Sequence, residues 1–581
     1  MELEPIRYGF LGRIDLMKSK MKQLALVVGV ALGGLSLAPT AGAVSVSANN
    51  LGQALIFPYY TVRSGWTTLL GVVNTSNQVV AVKVRFRESY NSRDVFDFDL
   101  ILSPLDEWTA WVTDSANGPV IHTEDTSCTV GNIVGAGAAG VTFPAPESYV
   151  GAAADGGPTT VDRMREGYVE MIMMGAAPVG AAATPDPFPL ARGAIHVNGA
   201  APPGCAALVA AFQDPTKLGS YNATAFPCTN ITSGTPDTLR GEFCNYARDP
   251  APDTQRGWVP LAPLKGTFAL VNGAQGFNAV GLPTHLANFR DEPLVTLQLP
   301  PGASVPFADS WHEPSLAAAN TPGVFLDPTD TRRRRIFAGG ARAVSFALEK
   351  TNVTNEWSRR TNAAAGWVTA TDWVITLPTK NFFVDNDPTN QYAGRNTGRG
   401  NAVCAASGTG CVNSPGPAGT GPFTETFVDT SVDPAVRRGA SCDPLIFTLL
   451  NREEQASQGA GFSPGGYPQL CYETNVLTFN QGSTPSSSGA ASILNSSSAV
   501  GILNSPNAVS INYPENFSFG WMNVGFTNRA RVLRGLPAVG FAITSRDDQS
   551  GLLSEAGLVE HSYIRPFNPP ERDGDCGPNE C

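Results

Sequence analysis

Charge is scarce in this chain. Asp, Glu, Lys and Arg together make up 15% of its 581 residues, against 42% hydrophobic residues. Histidine is scarcer, with five scattered copies at 122, 196, 285, 312 and 561. That scatter nominates no Ser-His-Asp constellation. His312-Glu313 is followed by Pro314, with no second His to complete H-E-x-x-H. No two of the ten cysteines stand at C-x-x-C spacing. This excludes haem attachment of the c type, a thioredoxin-like dithiol and the common zinc spacings. Beyond Leu37, no run approaches the roughly 20 apolar residues that a membrane-spanning helix needs. The formal net charge is −11, and an acidic chain repels phosphate, which disfavours nucleic acid as a partner. Arg332-Arg333-Arg334-Arg335 is the local exception and reads as an exposed loop or strand edge.

What is plentiful is glycine (60) and proline (46). Both interrupt helices, so the composition predicts a loop-rich, mainly β protein. The clearest stretch is Leu51 to Val112. There Val80, Val82, Val84 and Phe86 alternate with Ala81, Lys83, Arg85 and Arg87. Phe96, Phe98, Leu100 and Leu102 then alternate with Asp97, Asp99 and Ile101. Period two with one apolar face marks a half-buried strand, and the intervening turn formers make the pair a hairpin. Lys83, Arg85 and Arg87 face Asp97 and Asp99 across it, an arrangement that helps to set the register. The expectation is that this charged face is solvated.

At the start, Lys18, Lys20 and Lys22 precede the apolar run Leu24 to Leu37 and the small-residue site Ala41-Gly42-Ala43. This predicts a signal peptide over residues 1–43 and hence export. The predicted organisation continues with an N-terminal β-sandwich at 44–190 and a cysteine-containing, loop-rich insertion at 191–265. A second β domain with Gly/Ser-rich insertions follows at 266–581. The expected architecture is antiparallel and Ig-like, with disulfide-tied loops. Further strands are predicted at Tyr168–Met174, Gly266–Asn272, Leu294–Leu299, Ala343–Leu348, Trp367–Leu377, Leu470–Phe479, Phe517–Phe526 and Ala538–Ile543. Residues 120–160 are expected to be loop. ILNSSSAV at 493–500 recurs as ILNSPNAV at 502–509, too short an array for a solenoid.

An even cysteine count in an exported chain reads as disulfides. The candidate pairs are Cys404 with Cys411, Cys442 with Cys471, and Cys576 with Cys581. Cys128, Cys205, Cys228 and Cys244 leave three connectivities open. Gly461-Phe462-Ser463-Pro464-Gly465 has the form of a nucleophile elbow, but Pro464 lacks the N–H that would serve the oxyanion. Gly135 to Gly140 matches G-x-G-x-x-G, and Pro144 and Pro146 forbid the helix that should follow. Met171 and Met173 share a strand face, which suits apolar packing. No catalytic residue and no cofactor are assigned. Asp385 and Asp387, in a short acidic loop, are the candidate calcium ligands.

LIFPYYTV at 55–62, WTTLLGVVNTS at 66–76 and DWVITLPTKNFFVD at 372–385 resemble a group of exported bacterial proteins described only as hypothetical or cell-surface proteins. The resemblance implies an envelope or extracellular role and brings no catalytic residue with it. The sequence therefore leads to an exported, non-enzymatic structural or adhesive protein. It would be extracellular, surface-bound or periplasmic, and its partners would be its own copies or surface and matrix polymers. The alternatives are a secreted polymer- or carbohydrate-active enzyme and a periplasmic binding module, each on a β scaffold. An outer-membrane barrel is disfavoured by the charged face at Arg85 and Asp97.

Overall fold

The structure is a computed structural model. It describes residues 42–131, 133, 139–144, 158–177, 179, 189–213, 262–290, 298, 314–319, 321, 323–326, 334–337, 339–360, 367–382, 422–423, 443–458, 469–481, 508–514, 516–526, 535–548 and 554–564. The fold is mainly β and its sheets are almost wholly antiparallel.

The first thirteen strands are β1 Ser45–Val46, β2 Ala54–Thr61, β3 Thr67–Asn74, β4 Val79–Glu88, β5 Asp94–Leu102, β6 Glu107–Thr113 and β7 Val120–His122, then β8 Cys128–Gly131, β9 Val141–Thr142, β10 Glu166–Ala177, β11 Leu264–Asn272, β12 Phe277–Gly281 and β13 Thr284–Ala287. They form a seven-stranded sheet, β1-β13-β2-β10-β4-β5-β8, and a six-stranded sheet, β12-β11-β3-β6-β7-β9. The predicted hairpin is β4–β5, in the register Lys83↔Asp99 and Arg85↔Asp97. Its apolar residues Val82, Val84, Phe86, Phe96 and Phe98 pack with Trp108, Leu70 and Phe268 of the second sheet in one apolar cluster. Met171 and Met173 lie in the same cluster. Within residues 120–160, the structure places β7, β8 and β9 where only loop was expected. β11 pairs with β3, and β13 with β2. The boundary expected at 266 thus falls inside the six-stranded sheet.

Pro58 sits inside β2, which has neighbours on both sides. The ladder slips there, between Gly167↔Tyr60 and Val169↔Phe57, as a proline without an N–H requires. Gly167 is needed at this slip, because a Cβ would lie 1.9 Å from the Arg87 carbonyl oxygen.

The outer face of the seven-stranded sheet is where structure and expectation part. Lys83, Arg85, Arg87, Asp97 and Asp99 are all buried rather than solvated. The helix Cys205–Gln213, tied to β8 by the Cys128–Cys205 disulfide, packs over Ala81, Ile101 and Val130 at one end. The helix Gly340–Leu348 packs over Ile56, Tyr168 and Ile172 at another. An Ig-like pair of sheets has open outer faces; here one is roofed. The Gly340–Leu348 helix also replaces the strand expected at Ala343–Leu348, because a short apolar run lacks a deciding period.

The later strands are β14 Gly323–Leu326, β15 Arg334–Phe337, β16 Glu349–Lys350, β17 Asn352–Arg360, β18 Val368–Thr376, β19 Asp443–Asn451, β20 Ala456–Gln458 and β21 Gln469–Leu470, then β22 Thr474–Gln481, β23 Ala508–Tyr513, β24 Phe519–Phe526, β25 Leu536–Pro537, β26 Val539–Asp547, β27 Ser554–Glu560 and β28 Ser562–Ile564. β17 and β18 share only two register pairs, Arg359↔Ala370 and Arg360↔Thr369. Residues of β17, β19 and β24 therefore pack onto residues of β18, β22 and β23, around Trp357, Trp373, Phe447 and Phe479. The opposite face of β18, β22 and β26 supplies Val374, Val476, Phe541 and Ile543 to the first core. Thr376 Oγ1 donates to the Pro58 carbonyl at 2.6 Å, a further tie between these strands and β2.

Candidate functional site

Two places concentrate polar chemistry. The first is the roofed strip on β4, β5 and β10. Lys83 Nζ lies 2.5 Å from Asp97 Oδ2 and 3.5 Å from Asp99 Oδ1. Arg85 Nη2 meets Asp94 at 2.6 Å, and Arg87 Nε stands 3.5 Å from Glu170. Gln298 reaches in from a distant part of the chain. Its Oε1 accepts from Lys83 Nζ at 2.7 Å and its Nε2 donates to Asp97 Oδ2 at 3.1 Å. Three cations here face four carboxylates among the described residues. Burial pushes the Asp99 carboxyl up to about 7; Lys83 opposes that shift and Asp97 adds to it.

The strip continues to a second buried group. Arg163 Nε lies 3.0 Å from Glu88, which also accepts backbone N–H bonds from Tyr90, Asn91 and Arg93. Lys380 Nζ is 3.2 Å from Asp443. Burial holds the nearby Glu473 carboxyl well above its usual range, against the pull of Lys380 and with the repulsion of Glu88. These groups lie under their neighbours, so their chemistry is confined to one another.

The second place is a cavity of about 250 Å³ lined from seven separate chain segments. Its walls include Pro58, Val353 and Phe541, and its polar members include His285, His561, Lys350 and Glu560. Neither histidine offers a free nitrogen. His285 Nε2 accepts from the Gly266 N–H at 3.0 Å, and burial lowers its pKa to about 4, with the Pro283 backbone opposing. His561 Nε2–H donates to the Val374 carbonyl at 3.0 Å, which leaves Nδ1 to accept from Asn355 Nδ2 at 3.1 Å. Burial lowers its pKa to about 3, again against a backbone carbonyl, that of Val374. Lys350 Nζ donates to the Ala538 carbonyl and stands 4.8 Å from the centre of the Tyr563 ring.

The buried His561 ring makes stability depend on pH. Its folded pKa lies below the unfolded value of about 6.5, so its contribution is complete above that pH. It is lost as the pH falls towards about 3. His561→Asn should therefore lose less stability than the parent chain between pH 7 and pH 5, measured by urea denaturation at each pH. Equal losses would remove His561 from the acid response.

Cys128 pairs with Cys205, which selects one of the open connectivities. Cys471 is disulfide-bonded. Cys404, Cys411, Cys442, Cys576 and Cys581 lie outside the described residues, as do Cys228, Cys244 and the calcium candidates Asp385 and Asp387. The Gly461–Gly465 motif, His312 and most of Gly135–Gly140 also lie outside. Among the described residues, no group of three or more His, Cys, Asp or Glu could hold a metal ion. Nor is any described helix long and apolar enough to cross a membrane. No family model, curated protein or solved structure matches this chain.

Proposed function

We propose that this is an exported, non-enzymatic structural or adhesive protein of the cell surface or extracellular matrix, which works through its sheet surfaces. The observation that carries the reading is the outer face of β19, β24, β17 and β28. In register, Ile446, Gly525, Asn352 and Ile564 make one row, and Thr448, Asn523, Thr354 and Ser562 the next. Leu450, Trp521 and Glu356 make a third. Ile446 is 55% exposed, Ile564 52% and Trp521 41%. Exposed apolar side chains on one sheet face suit contact with another surface, here a further copy of the chain or a surface polymer. The signal-like N-terminal sequence and the resemblance to exported surface proteins support the same reading. Among the described residues, Asp97, Asp99 and Glu170 are sealed where a polysaccharide cannot reach, so this cluster does not support the reading as a polymer-active enzyme. A small-ligand binding module is the second reading, favoured by the cavity beside Lys350 and Glu560.

The test is sedimentation of protein sheared from intact cells under non-reducing conditions. A large polymer or a matrix-bound fraction, reduced by Trp521→Ser with Ile446→Ser, is the expected result. A discrete monomer that binds neither cells nor matrix would overturn the proposal.

A further inference from the structure

The buried strip contains a lysine and an aspartate placed for reaction with each other. We propose that Lys83 and Asp97 join in an intramolecular amide bond, a covalent cross-link between β4 and β5. Lys83 Nζ and Asp97 Oδ2 are in contact at 2.5 Å, and both side chains are shut away from water. Such a fixed contact supplies the proximity that an uncatalysed amine and carboxylic acid lack in solution. Gln298 holds both partners at once, accepting from the amine and donating to the carboxyl oxygen on which charge develops. Asp99 stands 3.5 Å from the same amine. Ala81 and Ile101 belong to the apolar cluster at that end of the sheet. Exclusion of water raises the cost of holding both groups charged and so favours proton transfer from ammonium to carboxylate.

The step balances without any co-reactant. The Lys83 ammonium passes a proton to the Asp97 carboxylate, leaving a neutral amine and a neutral acid. The nitrogen lone pair attacks Asp97 Cγ and the C–N bond forms. The C–O bond then breaks, and the oxygen leaves as one water carrying two of the three ammonium hydrogens. Asp99 is the proton carrier for that departure. Its carboxyl, pushed up to about 7 by burial, can hold and release a proton near neutral pH. Gln298 acts as the positioning residue.

The experiment is mass spectrometry of the purified full chain after complete denaturation and reduction, followed by proteolysis. A cross-linked pair of peptides, one containing Lys83 and the other Asp97, lighter than their sum by one water, is expected. Separate peptides at their sequence masses would show an ordinary ion pair and overturn the proposal. Asp97→Asn should still link, with ammonia leaving in place of water. Asp99→Asn should slow linkage at least tenfold; linkage at the parent rate would overturn the part given to Asp99. The parent chain alone decides the central claim, whether or not these variants fold. The result is independent of whether the protein acts as an adhesin.

Discussion

Measured against the ion-paired form, before any amide joins Lys83 to Asp97, Lys83→Met should destabilise the protein by about 3–5 kcal/mol at neutral pH, the range for removing one partner of a buried ionic group. The side chain is fully buried and serves Asp97, Asp99 and Gln298 together. Methionine fills much of the same space, so the loss is electrostatic rather than a cavity. Two carboxylates are then left facing each other without their shared cation. Lys83 lowers the Asp99 pKa, so its removal raises that value further above about 7. A carboxyl with a raised folded pKa contributes stability that is complete at low pH and lost as pH rises through that pKa. The deficit of Lys83→Met should therefore be larger at pH 8 than at pH 5. Adding Asp97→Asn and Asp99→Asn should restore most of the stability, since no buried charge then lacks compensation. Urea denaturation of the two variants at both pH values checks this. A deficit below about 1 kcal/mol at pH 8 would mean that the strip takes up water or rearranges.

The hairpin holding Lys83 was legible in the sequence, down to the pairing of opposite charges across it. What the sequence hid was the fate of the charged face. Alternation states that one side of a strand is apolar; it does not state what covers the other side. The cover on Lys83, Asp97 and Arg85 comes from Gln298 and Pro314, more than 200 residues away in the chain. No local pattern encodes that contact. The scarcity of charge carried a signal that composition alone could not use. In a chain with so few ionisable groups, three basic residues alternating opposite acidic ones invite the question of mutual burial. The helix at Gly340–Leu348 was missed because its apolar run is as short as a strand. The cavity was illegible for another reason: its lining is spread from Val46 to Tyr563, with one or a few residues from each visit.

Phe541→Ala is expected to cost about 3–5 kcal/mol, the usual range for truncating a buried phenylalanine, and to weaken both halves of the chain together. Phe541 is buried on β26, among strands that also carry the Trp357–Trp373 core on their other face. Its ring centre lies 6.5 Å from that of Tyr59 and 5.8 Å from that of Phe268, both from the first pair of sheets. Truncation would also widen the cavity that Phe541 lines, where its neighbours are held by ladders on β2 and β18 and cannot collapse inward. If the two halves were separate folding units, the loss would stay in the later strands. The continuous core argues otherwise, because strands β18, β22 and β26 present one face to each cluster. Hydrogen exchange read by mass spectrometry distinguishes the cases. Faster exchange in β2 and β11 as well as in β18 and β26 is the expected pattern. Faster exchange confined to the later strands would show that the contact at Phe541 joins two bodies without coupling their stability.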